Sequence, residues 1–403
     1  MDSENRLLGA DFLRCTACFV VMLHHCLQHM GYSRNFDLLG WTGVFGIIGG
    51  LGVAMFFVLS GYLLARPFWK SLDQGAAMPS LRIYVQRRAA RILPGFWLAM
   101  TVTFILTVTV FHYRLDGWLA LRYLSGMLLI SDWHWTTLFP VEVNGPLWSI
   151  GFEVSSYVFL PLGFALMFWA SRIIRQYWLV WITWLVVIAA TLGLHWLFVN
   201  FVHVDKANSG WDYGLQGGAK TWMPRFNPFS MFVIFAVGAL AAGLQVKLAR
   251  LRHLAFDALS LLSGAVAIYL ILQTWMRGSV EDYGLFGVPY SFPLLPLALG
   301  AFLAVTPSTR FVGVMLDNRL VRYLASISFG IYVWHVLAIE LVQRLWLPPV
   351  SNAPDQGYFA LGVALVVAIS IVAGSLSFKY LEEPIIRWAR MRESGYGPKA
   401  TSA

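Results

Sequence analysis

Apolar runs of roughly 20 residues, long enough at about 1.5 Å per residue to cross a hydrocarbon layer of about 30 Å, recur along the whole sequence. They fall at about 10–31, 42–65, 91–112, 147–170, 177–198, 228–245, 254–275, 289–306, 323–346 and 357–378, with polar stretches between them. The pattern predicts an all-α integral membrane protein with about ten transmembrane helices. One further stretch, GWLALRYLSGMLLI, has about 14 residues and predicts an interfacial or re-entrant helix.

Charge orients these elements. With the N-terminus inside, about 21 of the 29 lysines and arginines lie on the inner side, as the positive-inside rule expects. Counting the short stretch as a crossing would invert every later helix and export most of those charges. Both termini are therefore expected to be cytoplasmic, with a basic cytoplasmic loop at 66–90, an extracytoplasmic loop at 199–227 and a cytoplasmic tail at 379–403. Residues 1–403 read as one membrane domain. The first run is too long for a signal-peptide core and lacks a small-residue cleavage site, so a retained, multi-pass cell-membrane protein is expected.

Composition excludes a water-soluble globule: 58% of residues are hydrophobic, 12% are charged and the mean hydropathy is +0.66. The formal charge of +9 sits beside apolar runs rather than on a soluble basic domain, which argues against nucleic acid as a partner. Cys15, Cys18 and Cys26 all lie in the first run and read as small apolar fillers. No metal site is expected.

Ionisable residues inside spans cost a few kcal/mol on insertion scales, so they generally face the bundle interior and are candidates for function. Arg14 and His25 are eleven residues apart, which places them on one helical face about 16 Å from each other. His25 is either a structural histidine bound to a neighbouring helix or a general base. Glu153, in NGPLWSIGFEVSSY, falls at matching depth and either reaches His25 or satisfies only Ser149 or Tyr157. His335, in SISFGIYVWHVL, is a second imidazole candidate, although Tyr332 and Trp334 beside it suit packing equally. Arg88 and Arg91, in RRAARILP, share a helix face at the inner mouth and can fork onto phosphate oxygens, while arginines there also satisfy topology. Gly52, Ser60 and Gly61 either let helices approach closely or leave room for a thin acyl or pantetheine chain.

Taken in order, these residues resemble the acyltransferase-3 family of membrane O-acyltransferases over nearly the whole chain. Arg14 and His25 match its arginine, ten residues, histidine pattern, and Phe56 through Gly61 its FFVLSG segment. Arg88 and Arg91 match its R-x-x-R, and Trp148, Ser149 and Glu153 its W-S-x-x-x-E. Ser326 through His335 match its ISYGIYLWH-like run, and Glu382 with Pro384 its E-x-P. Gly151, Phe152 and Ser156 depart mildly from the commoner residues.

The resemblance implies transfer of an acyl group, commonly acetyl from acetyl-CoA, to a hydroxyl of a cell-surface saccharide or lipid-linked glycan. A macrolide-like or other small hydroxylated metabolite is the second acceptor class. It assigns His25, Glu153 and His335 to catalysis and Arg14, Arg88, Arg91 and Ser60 to the donor, with no metal. Trp148, Ser149, Tyr157, Trp211 and Asp212 fall on the acceptor side, where the aromatic outer loop could stack on sugar rings. The sequence ends soon after the last run, which resembles the stand-alone members without an esterase-like domain. The partners implied are acyl-CoA, a hydroxylated acceptor and the bilayer; the oligomeric state is open. A proton-coupled transporter is the rival reading, because buried arginine, histidine and glutamate also build proton relays, but no inverted repeat is visible.

Overall fold

Helix boundaries follow capping chemistry more closely than hydropathy. The computed structural model describes residues 7–30, 49–173, 177–277, 283–345 and 356–394, so the beginning of the second predicted span and the last residues of the predicted tail lie outside the described residues. Helix α1 covers Ala10–His29 and α2 covers Leu51–Asp73. The chain leaves α2 where the Gln74 N–H returns to the Lys70 carbonyl and Gly75 takes a φ of +62°, a conformation that suits glycine. Ser80 then caps α3, Leu81–Thr109, its hydroxyl accepting from the Ile83 N–H at 3.5 Å. The stretch read from the sequence as a loop over 66–90 is therefore mostly helix, with residues 74–80 as the connection.

The remaining helices are α4 Gly117–Met127, α5 Trp148–Ile173, α6 Tyr177–Phe201, α7 Gly214–Trp222, α8 Pro228–Leu248 and α9 Leu254–Met276. They are followed by α10 Leu294–Val305, α11 Val312–Leu316, α12 Arg319–Leu345 and α13 Gln356–Ser377. A π-helical turn over Phe378–Glu382 joins α13 to α14, Glu383–Ser394. Among the described residues, nine helices are long and apolar enough to cross a membrane. The crossing expected at 289–306 is shorter, an apolar helix over Leu294–Ser308. It is buried on the side that meets α8, where Gly300 faces Ala241 and Val237. Helix α4, at 11 residues, is likewise too short to span, as the sequence implies.

The bundle is organised around α8, which is apolar and buried almost all the way round. Against it lies α2, at a separation only glycine permits. A Cβ on Gly61 would fall 1.9 Å from the Phe235 carbonyl oxygen, and one on Gly238 would fall 1.9 Å from that of Val58. The indole N–H of Trp69 donates to the Ala239 carbonyl at 2.7 Å, and that of Trp184 to Ala236 at 3.1 Å, so α8 is tied from two sides. A second layer, α1, α12 and α13, closes in the same way, with Gly330 backed against Gly374. The small residues of α2 thus serve packing at Gly61, whereas Ser60, one residue earlier, faces a cavity.

Because the long helices alternate in direction, the bundle has two chemically distinct ends. Lys247 is paired with Asp73, and Arg87 with Glu393 at 2.6 Å, at the end that holds the start of α3 and the whole of α14. At the other end the Gln343 amide donates to the His29 carbonyl, and the Arg344 guanidinium lies 4.0 Å from the centre of the Phe111 ring. We call these the basic end and the histidine end. Gly61→Ala is expected to lower stability by about 1–3 kcal/mol, because the added methyl overlaps a main-chain oxygen that cannot move independently of α8. Thermal melting of the purified protein in detergent checks this, and an unchanged melting temperature would count against the packing described.

Candidate active site

Two helices that share an apolar seam, α1 and α12, bring their histidines together at the histidine end. His25 Nδ1 lies 3.0 Å from His335 Nε2, with ring centroids 5.0 Å apart. His335 Nδ1 lies 2.7 Å from the carbonyl oxygen of Tyr332, one turn earlier on its own helix. A carbonyl only accepts, so the proton of neutral His335 resides on Nδ1 and its Nε2 presents a lone pair. His25 must then donate from Nδ1, which leaves His25 Nε2 unprotonated and without a partner in this chain of bonds. His335 is buried and His25 half-buried. The tautomer needed by a general base is therefore set by a main-chain carbonyl two bonds away.

Toward the basic end, α1, α2, α3, α5 and α12 enclose a cavity of about 90 Å³. Arg14, Arg88, Arg91, Ser60 and Glu153 supply its polar wall, three guanidiniums against one carboxylate. Glu153 accepts from Ser60 Oγ at 2.9 Å and from the Tyr157 hydroxyl. Arg14 lies within electrostatic reach of Glu153, Arg88 and Asp11. Arg91 is anchored: Nη1 meets Glu382 at 3.3 Å and Nη2 donates to the Ser326 carbonyl at 3.2 Å. Glu382 is fully buried at the π-helical turn and also accepts from Ser377 at 3.3 Å. Such a cluster of forked donors can hold phosphate oxygens at the mouth of a narrow slot.

Between slot and histidines stands Tyr332. Its hydroxyl donates to the Pro146 carbonyl at 2.8 Å and lies 2.6 Å from Ser149 Oγ, its ring packs on Phe56 at 5.7 Å, and its own carbonyl fixes His335. Tyr332, Ser149 and Phe56 all line the slot. One residue thus belongs to both halves of the site.

Most residues singled out from the sequence converge here, with rearranged partners. Of the two placements the sequence left open for Glu153, the structure shows the second type of contact, to Tyr157 together with Ser60; His25 pairs with His335 instead. Ser149 and Tyr157 line the arginine-walled slot. Trp148 is buried among Trp222, Phe226 and Phe152, with ring centroids 4.9, 5.6 and 5.5 Å away, so it fastens the 199–227 segment to α5 and is not a wall of the slot. Trp211 packs on Trp222 at 5.2 Å, and Asp212 is exposed beside it; neither lines the slot. The sequence offered no reason to join Arg91 to Glu382. The i, i+3 spacing of Tyr332 and His335 was the available signal for the tautomer lock. Cys18 and Cys26 are buried and unbridged, as fillers should be. Among the described residues no group of histidine, cysteine or carboxylate side chains could hold a metal.

A family profile described as "Acyltransferase domain" matches residues 7–375. The chain belongs to the acyltransferase-3 family. A Staphylococcus aureus (strain MSSA476) protein named "Putative O-acetyltransferase" is 25% identical over 374 residues, covering 89% of this chain and 58% of the relative. "O-acetyltransferase OatA" of Staphylococcus aureus (strain NCTC 8325) is 24% identical over 394 residues, covering 96% of this chain and again 58% of the relative. The chain therefore spans somewhat more than half the length of these relatives. Within this acyltransferase-3 domain, the motif residues Arg14, Phe56, Ser60, Arg88, Arg91, Ser149 and Glu153, scattered along the sequence, line one slot, and His25 and His335 pair with each other.

Asp132, outside the spanning helices, is a buried carboxylate that takes no part in this arrangement. It accepts from Ser155 at 2.6 Å, its other oxygen has no partner among the described residues, and burial pushes its pKa up to about 6. The folded state therefore holds a proton that a solvated aspartate loses near 3.8. Its contribution to stability is full below that value and is lost as pH rises through about 6. Asp132→Asn is accordingly expected to melt at a higher temperature than the natural protein at pH 7.5, with the gap closing by pH 4. Melting curves across that range check it; a gap independent of pH contradicts it.

Proposed function

We propose that the protein is a membrane O-acyltransferase that moves an acyl group, acetyl in the first instance, from acyl-CoA to a hydroxyl of a cell-surface saccharide or lipid-linked glycan. The single observation that carries this reading is the placement of an arginine-walled slot and an unprotonated imidazole nitrogen on opposite sides of Tyr332. Family membership and the O-acetyltransferase names of the relatives support the same class of reaction. The excess of basic residues at one end supports placing that end, and both chain ends, in the cytoplasm, with the protein in the cell membrane.

In this mechanism Arg14, Arg88 and Arg91 grip the donor's phosphates at the cytoplasmic side, and its slender thiol arm follows the slot past Ser60 and Glu153. Displacement of the Tyr332 or Phe56 side chain brings the thioester to His25. His25 Nε2 takes the proton of the acceptor hydroxyl as that oxygen attacks the thioester carbon. The C–S bond breaks, and the departing thiolate takes the proton back from His25, giving ester and free thiol. His335 holds His25 in the competent tautomer throughout, and Glu153 acts on the donor side as acceptor for Ser60 and Tyr157 and as counter-charge to the arginines.

The test uses the protein reconstituted in vesicles with acetyl-CoA labelled in the acetyl group. Covalent label on an acceptor is expected, with His25→Ala reducing it by about 10²–10⁴-fold while the protein elutes and melts as before. Arg88→Ala is expected to raise the KM for acetyl-CoA roughly tenfold with a smaller effect on kcat. Coupled movement of a solute without covalent transfer would establish the transporter reading in its place.

A further inference from the structure

Helix α14 lies along the outside of the bundle at the basic end. Glu393 accepts from Arg87 Nε at 2.8 Å and from its Nη2 at 2.6 Å, while Glu382, just before α14, meets Arg91. Helix α14 therefore runs back along the first turns of α3. Between the two helices a groove of about 440 Å³ stays unfilled, against about 90 Å³ for the slot. Small side chains, Ala89, Ala90 and Ala389, stand where the helices face each other and leave this space. The groove shares no wall residue with the slot: Arg88 and Arg91 line the slot, whereas Gln86, Ala89 and Leu93 line the groove, so α3 turns a different face to each.

The two ends of the groove differ in chemistry. Gln86 and Arg392 stand at the end nearest the Arg87–Glu393 pair, and Leu93, Pro94, Trp97 and Ile385 line the other. From Gln86 to Trp97 is about 16 Å along α3. The Arg392 guanidinium lies 4.1 Å from the centre of the Trp388 ring, and no carboxylate among the described residues pairs with it. The acids of α14 are already engaged: Glu383 holds Arg387 at 2.6 Å, and both oxygens of Glu393 hold Arg87. Trp388 and Met391 are exposed beside Arg387 and Arg390, a mixture of side chains that suits the headgroup level of a membrane.

We infer that the groove between α3 and α14 binds an anionic phospholipid of the leaflet at the basic end, with its phosphate on Arg392 and one acyl chain laid along Leu93, Pro94 and Ile385 toward Trp97. An arginine fork matches phosphate oxygens, and the apolar walls beyond it match a hydrocarbon chain. A free phosphate would leave the apolar length of the groove empty. A zwitterionic lipid would bring its own cation beside Arg392. The lipid bridges α14 to α3 and so steadies the element that carries Glu393 and adjoins Glu382, the partners of Arg87 and Arg91.

The test reconstitutes the full protein in phosphatidylcholine vesicles holding a trace of phosphatidylglycerol, or of phosphatidylcholine, with a photoactivatable diazirine near the end of one acyl chain. Adducts are then mapped by peptide mass spectrometry. They are expected to concentrate on residues 93–97 and on Ile385, with the phosphatidylglycerol probe labelling about fivefold more than the phosphatidylcholine probe, the preference that one arginine near a lipid surface confers. Arg392→Gln is expected to bring the two headgroups level, and Ala89→Phe, which fills the groove, to lower labelling by both. Glycerol 3-phosphate in excess is expected to leave the labelling unchanged, and competition by it would show a phosphate site without a lipid. That result, an absence of adducts on these segments, equal labelling by both headgroups, or labelling unmoved by both substitutions overturns the inference.

Discussion

The 3.0 Å contact between His25 and His335 is the interaction on which the rest of the site depends. It joins residues 310 apart in sequence and favours the proton on Nδ1 of His25. A lone imidazole in a bundle could adopt either tautomer, and only one leaves Nε2 available as a base. The choice is relayed from the Tyr332 main chain, which is itself fixed by helix geometry, so it costs no additional ionised group in a low-dielectric interior. A carboxylate in that role would have served the same end at a larger desolvation penalty.

That contact needs α1 and α12 at a defined depth and rotation, and the packing provides both. Glycines at 61 and 238 seat α2 on α8, α1 packs on α2 through Gly52, and Gly330 with Gly374 brings α13 against α12. The same seating leaves the slot between α1, α2, α3, α5 and α12, where five helices meet but side chains do not fill the space. Arginines are tolerable there because Glu382 and Glu153 offset them in part, and the residual positive charge is what a phosphorylated donor would neutralise. Stability and binding therefore draw on one set of helix contacts.

Much of this was legible in the sequence, for identifiable reasons. Long apolar runs gave the spanning helices, since length and hydropathy are local properties; at 289–306 the apolar helix is the shorter Leu294–Ser308, buried against α8. Arg14 and His25 declared a shared face through their eleven-residue spacing. What periodicity could not supply were the partners. Counting residues along the spans set Glu153 level with His25 and suggested a pair, yet the fold directs Glu153 to Ser60 and Tyr157 in the slot. Arg91 and Glu382, or Arg122 and Glu142, are linked only once distant segments have folded together. Trp148, part of a recognisable motif, proved to be the fastener of an aromatic cluster, which shows that a motif residue can hold the site's frame without touching its contents.

The most direct measurement of the central claim is the ¹⁵N spectrum of histidine-labelled protein in lipid nanodiscs at neutral pH, with the His25 signals assigned by their loss in His25→Asn. The account predicts a neutral His25 ring protonated at Nδ1, with Nε2 showing the shift of an unprotonated nitrogen. A ring protonated at Nε2, or one unchanged in tautomer when His335 is replaced by alanine, would contradict it.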